Sequence, residues 1–173
     1  MLLVKDIKQK YNEFDILFEK IGDGLILISV INSSHKCKIP CYWRLTKVCG
    51  IPPLEVGIDS QNGLLVSITA FITEIIEPKL CVPLDISQNR DVIVDKSVFT
   101  KVYDFIDVQQ GYSITKHGGN LVCLFEDEQE PTKAYRNGRF ELLIDNCNQI
   151  VGFSICDLTE DEIMMIDSLE EGQ

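Results

Sequence analysis

The residue types best suited to chemistry gather early in the chain, where His35, Cys37, Cys41 and Cys49 stand close together. Imidazole and thiolate are zinc ligands, and a Cys–His pair is also the minimal unit of nucleophilic catalysis. A structural zinc site draws on two closely spaced pairs with a short turn inside each. Here the spacing is irregular, Pro40 stiffens the segment, and no second Cys-x-x-Cys or His-x-x-x-His pair exists. No metal site is therefore expected. A hydrolase built on His35, Cys37 and Cys41 still needs a third group and an oxyanion site that the sequence does not announce. The other histidine, His117, lies in Lys-His-Gly-Gly-Asn and reads as an exposed turn residue. Phosphate loops, dinucleotide fingerprints and metalloprotease helices have no counterpart in the chain. The reading is a protein without catalytic residues, metal or cofactor.

The second chemical resource is carboxylate. Among 173 residues, 16 Lys and Arg stand against 27 Asp and Glu, a net charge of −11. Residues 1–90 are balanced, so the whole excess falls on residues 91–173. Its main blocks are Glu126-Asp127-Glu128-Gln129-Glu130 and Asp157 followed by Glu160-Asp161-Glu162. Such a surface repels phosphate backbones and anionic membranes and attracts basic proteins. Tyr103, Tyr112, Tyr135 and Arg136 lie among these acids and are of the types that anchor interfaces.

The elements that must position these groups are mostly hairpins. Apolar residues at Ile7, Tyr11, Phe14, Phe18 and Ile21 have a 4-3-4-3 spacing, which predicts an N-terminal helix. Gly22-Asp23-Gly24 turns the chain into a branched strand at residues 25–31, expected to be central, while residues 36–48 carry no clear pattern. Leu54, Val56 and Ile58 lead through Asp59-Ser60-Gln61-Asn62-Gly63 into a second branched run, a hairpin in which Asp59 is a turn former. Glu141-Leu142-Leu143-Ile144-Asp145 and residues 150–155 repeat this grammar. Duplication and convergence on hairpin rules both account for the repeat. Val98, Phe99, Val102, Phe105 and Ile106 predict a short helix within residues 95–106. Hairpins follow around residues 116–120 and at Asn137-Gly138. Thr159-Glu160-Asp161-Glu162 is a capping box opening a short acidic helix through Leu169.

No linker or low-complexity segment divides the chain. The expectation is one α+β domain, residues 1–173, of antiparallel hairpins in one or two packed sheets with an N-terminal, a mid-chain and a C-terminal helix. A two-part β architecture, roughly 1–90 and 91–173, is compatible with it. The start of the chain lacks a secretory signal and no apolar run approaches a membrane span, so a cytoplasmic protein with reduced cysteines is expected.

Leu54-Glu55-Val56-Gly57-Ile58-Asp59, followed by Asn62-Gly63-Leu64-Leu65-Val66-Ser67-Ile68-Thr69, resembles a phrase of small acidic bacterial immunity proteins. These are the cytosolic antidotes of contact-dependent growth inhibition and related polymorphic toxin systems. The resemblance implies a non-enzymatic protein that neutralises one cognate basic toxin domain, a nuclease and most readily an RNA- or tRNA-cleaving one. It does not fix the fold. The docking residues expected are Asp104, Asp107, Tyr112, Glu126, Asp127, Glu128, Glu130, Tyr135, Arg136, Asp157, Glu160 and Asp161. The first alternative is a non-catalytic scaffold or subunit of a larger assembly, in which the acidic half confers solubility alone, and the second, ranked below it, is a small hydrolase using the His35, Cys37 and Cys41 region.

Overall fold

In the computed structural model of the chain, residues 2–22, 24–46, 51–76, 84–101, 104–126 and 130–169 are described. The strands are β1 (Val4–Gln9), β2 (Phe14–Gly22), β3 (Leu25–Asn32), β4 (Pro40–Leu45), β5 (Leu54–Asp59), β6 (Leu65–Ile72), β7 (Asp85–Gln88) and β8 (Arg90–Val94). After a single 3-10 turn at Lys96–Val98 come β9 (Phe105–Val108), β10 (Tyr112–His117), β11 (Asn120–Phe125), β12 (Lys133–Asn137), β13 (Phe140–Ile144), β14 (Ile150–Ile155) and α1 (Glu160–Asp167).

Two six-stranded sheets form the body, ordered β2-β3-β6-β5-β4-β9 and β10-β11-β14-β13-β12-β7, and β1 pairs separately with β8. One apolar core joins the two sheets' inner faces. It holds Ile26, Ile28, Trp43, Val56 and Ile68 from the first sheet and Leu121, Cys123, Leu142, Phe153 and Ile155 from the second. Aromatic contacts cross between the layers, Phe14 to Phe140 at 4.8 Å and Trp43 to Phe125 at 5.6 Å between ring centroids. Each fully buried Leu, Ile or Phe here contributes about 1.5–3 kcal/mol by leaving water.

The sheets repeat one plan. In each, five consecutive strands take the same order, and a short parallel strand from the other half of the chain closes the edge: β9 beside β4, β7 beside β12. The registers correspond as well. Arg44 faces Glu55 and Arg136 faces Glu141, while Gly57 faces Ser67 and Leu143 faces Gly152. Both β5–β6 and β13–β14 shift register at the same step, Gly57/Ile58 and Leu143/Ile144. Both turns then start from an aspartate whose Oδ1 accepts from the N–H two residues on, 2.7 Å for Asp59 and 2.8 Å for Asp145.

Two predicted α-helices do not form. The N-terminal segment forms β1 and β2, because Phe14, Ile16 and Phe18 alternate with Asp15, Leu17 and Glu19 and only the first set packs on the core. The mid-chain helix shrinks to the 3-10 turn, capped by Asp95 Oδ1 accepting from Ser97 N–H at 2.9 Å, and the chain is extended again by Phe105. Val102 of that expectation lies outside the described residues. The C-terminal helix stands, with Thr159 and Glu162 forming both halves of the capping box and Ile166 and Leu169 buried. No helix among the described residues is long and apolar enough to cross a membrane.

Candidate functional site

The acidic residues fall into three groups. Asp104 closes a loop, its Oδ2 accepting from Thr100 N–H at 2.8 Å and Lys101 N–H at 3.2 Å. The Thr100 N–H in first place holds its carboxyl below the usual range. Asp107 on β9 takes a bidentate pair from Arg44, Nε–Oδ1 2.6 Å and Nη2–Oδ2 2.9 Å, which lowers its pKa too. Glu126 and Glu130 are exposed on the connection between β11 and β12; Asp127, Glu128 and Tyr103 lie outside the described residues. Asp157, Glu160 and Asp161 are exposed at the entrance to α1, where negative charge complements the helix N-terminus. Leu121 faces Ile155 and Leu124 faces Gly152, so these last two groups leave opposite ends of the second sheet. At the usual strand rise that separation is about 17 Å.

Of the expected anchors, the two tyrosines among the described residues are buried. Tyr112 is 4% exposed and Tyr135 9%. The Tyr112 hydroxyl donates to the Phe71 carbonyl at 2.9 Å, and burial pushes its pKa up to about 12. Arg136 is half-buried and donates to the buried Glu141 at 2.7 Å and to Cys156 Sγ at 3.4 Å. Burial, then Glu141, pushes the Cys156 thiol up to about 11. The alternation of Tyr112 and Ile114 against Ser113 and Thr115 is the signal that places this tyrosine inward.

The histidine and cysteine cluster resolves into a structural tie. His35 Nε2 donates to Asp59 Oδ2 at 2.6 Å, joining the loop after β3 to the β5–β6 turn. Burial raises the Asp59 carboxyl, but the bonds from His35 and from the Gln61 and Asn62 N–H groups outweigh it and hold the group below its ordinary value. Cys37 lies beside the same carboxylate, and burial in first place pushes its thiol up, away from the reactive thiolate. Cys41 is buried with its Sγ 3.8 Å from the Lys101 carbonyl, and Cys49 lies outside the described residues. Among the described residues no group of three His, Cys, Asp or Glu is arranged to hold a metal ion.

Two cavities border these elements. A void of about 10 Å³ between the sheets is lined by Asp91, Asn137, Phe14 and Leu65. Asp91 Oδ1 and Asn137 Oδ1 are buried without a partner, and the space matches one water molecule. A cleft of about 190 Å³ is lined by Glu74, Tyr112 and Glu126 among others. It is smaller than the roughly 300–1,000 Å³ usual for ligand pockets. Sequence reasoning missed a third feature, the outer face of the first sheet, where Leu17 (56%), Ile31 (51%) and Phe105 (58%) stand open. An apolar residue on the polar side of an alternating strand, as Leu17 is, was the available signal. No protein-family model matches the chain, and no curated protein gives a significant match.

Proposed function

We propose that this chain is a cytoplasmic immunity protein that binds and neutralises a basic toxin domain, an RNA-cleaving nuclease being the favoured kind. The observation behind this reading is a set of exposed carboxylates without a salt-bridge partner among the described residues. Glu126, Glu130, Asp157, Glu160 and Asp161 take part in no ion pair among the described residues, whereas Asp107, Glu141, Glu162 and Asp167 each face a cation. A nuclease surface must be basic to hold phosphates, so unpaired carboxylates accelerate encounter and complement the bound surface. The burial of Tyr112 and Tyr135 leaves the electrostatic part of the docking to these acids.

The test is to read the adjoining reading frames for a protein ending in a basic domain and to titrate this chain calorimetrically with that separately expressed domain, at low and high salt; a metabolic operon there counts against the function. Tight binding that weakens with salt is expected, and reversing Glu126, Asp127 and Glu128 to Lys together should weaken it about tenfold or more while flattening the salt dependence. Unchanged affinity in that variant removes the acidic connection from the interface. Absence of binding by the parent chain at low salt rejects the function, and the scaffold alternative then stands.

A further inference from the structure

The segment after β6 leaves the first sheet for the edge of the second. Ile76 bridges to Thr115 and its N–H donates to the Ile114 carbonyl at 2.9 Å, so this segment meets β10. The Tyr112 hydroxyl crosses back to the Phe71 carbonyl. Beside these ties opens the cleft of about 190 Å³. At roughly 30 Å³ for each water, that is room for about six molecules, enough for one long side chain and less than a small-molecule ligand usually takes.

The lining is apolar inside and acidic outside. Tyr112 and Ile114 are buried and Phe71 and Ile76 half-buried, whereas Glu74 and Glu126 are exposed, which puts carboxylates at the mouth. Thr73 and Ser113 add hydroxyl groups, and no cation is among the described residues of the lining. Glu126 is set in place by its surroundings. Its N–H donates to the Gly111 carbonyl at 2.9 Å, and its own carbonyl accepts from the Gln110 side-chain amide. An added Cβ at Gly111 would overlap the Glu126 carboxylate, although the backbone there is not left-handed, so the missing side chain makes room for the acid. Glu126 forms no ion pair among the described residues.

We infer that this cleft seats one arginine side chain of the basic partner, its methylenes against Phe71, Ile76 and Ile114 and its guanidinium at the Glu126 carboxylate. The inference rests on the reading of this chain as the binder of a basic domain, and gives that binding a localised anchor. A guanidinium presents five donors in a planar fork, which suits a mouth with acceptors of several kinds better than the point charge of lysine does. Burying an aliphatic stem while pairing the charged head is also how arginine contributes strongly to interfaces. A second copy of this chain is a poor source of the group. Of its four arginines, Arg44, Arg136 and Arg139 are held by carboxylates of the same chain and Arg90 lines the void between the sheets.

Two titrations of the full chain test this. In the first, N-acetyl-arginine methylamide is added and the amide NMR signals are followed. Saturable shifts at Thr73, Gly111 and Ser113 are expected in the parent, with about tenfold weaker binding in Glu126→Gln. Ser113→Phe, which fills the cleft without changing charge, should show none. Both positions reach the surface, so melting temperatures should stay within a few degrees of the parent. No saturable shift in the parent overturns the cleft, and equally strong binding of N-acetyl-lysine methylamide overturns the assignment to arginine. In the second, the separately expressed basic domain is the titrant, and Glu126→Gln and Ser113→Phe should each lose about tenfold or more in affinity, chiefly through faster dissociation. Parent-like affinity in both, with loss on reversing Glu126, Asp127 and Glu128 together, overturns the cleft and leaves the binding function standing. A parent chain that takes the arginine probe but binds no basic domain overturns the function and, with it, this occupant of the cleft.

Discussion

Two buried aspartates at the same end of the sandwich meet opposite fates. Asp59 accepts from His35 and from backbone N–H groups, and these bonds outweigh the cost of its burial. Asp91 has an oxygen with no partner beside the void, and burial pushes its carboxyl above the ordinary range against the pull of Lys10, Lys8 and His35. A carboxyl whose folded pKa is raised contributes stability below its unfolded pKa and loses that contribution as pH rises through the folded value. At neutral pH, then, the charged form of Asp91 works against folding. Asp91→Asn keeps the shape without the charge. It is expected to melt above the parent at pH 7, with the difference shrinking as pH falls toward 4; each kcal/mol corresponds to about 2–4 °C in a domain of this size. Thermal melts from pH 4 to 8 check this, and a variant that melts below the parent at pH 7 would show that the anion is held by a favourable partner.

At the scale of elements, the hairpins were legible because turn chemistry is local. Asp59, Asn137-Gly138 and Asp145 each sit where the backbone must reverse, with Gly63 and Gly138 at positive φ. The N-terminal strand was misread because Phe14 and Phe18 are four apart, a spacing that is both even and close to one helical turn, so it satisfies either period. The short parallel strands β7 and β9 were illegible for another reason: their pairing partners lie in the opposite half of the chain, and nothing in four residues names a distant edge. Of the candidate site, the carboxylates could be read as composition, but the burial of Tyr112 and the openness of Leu17 depend on which face each strand turns to the core. The close approach at Gly152 is equally invisible in sequence. An added Cβ there would overlap the Cys123 carbonyl oxygen on β11, whereas the corresponding position in the first sheet carries Ser67. Gly152→Ala is expected to cost about 1–3 kcal/mol by forcing β11 and β14 apart, measured by urea unfolding. Ser67→Ala, in the more open sheet, should cost far less. Equal losses would mean that the two sheets tolerate the same bulk.

For the whole molecule, the repeated strand order invites division into two halves, but the chain is knitted across that division. β7 leaves the first half to close the second sheet, β9 leaves the second half to close the first, and β8 returns to pair with β1. The inner faces of both sheets share one core, so each half alone exposes a full apolar face and an unpaired edge at β4 or β12. A half of this length also buries a smaller share of its surface, roughly 60–65%, than the roughly 70% of the whole chain. Full-length protein is therefore expected to unfold in a single transition, with calorimetric and van't Hoff enthalpies in agreement. Fragments 1–99 and 100–173, cut in the connection between the 3-10 turn and β9, should each lack a cooperative melt, while their co-expression should restore a soluble complex that melts as one unit. The apolar faces would supply the attraction, and the exchanged strands β7 and β9 would set the register. A sigmoidal melt from either fragment by itself would show that one sheet needs no partner layer, and would make the shared core an accretion on an independent domain.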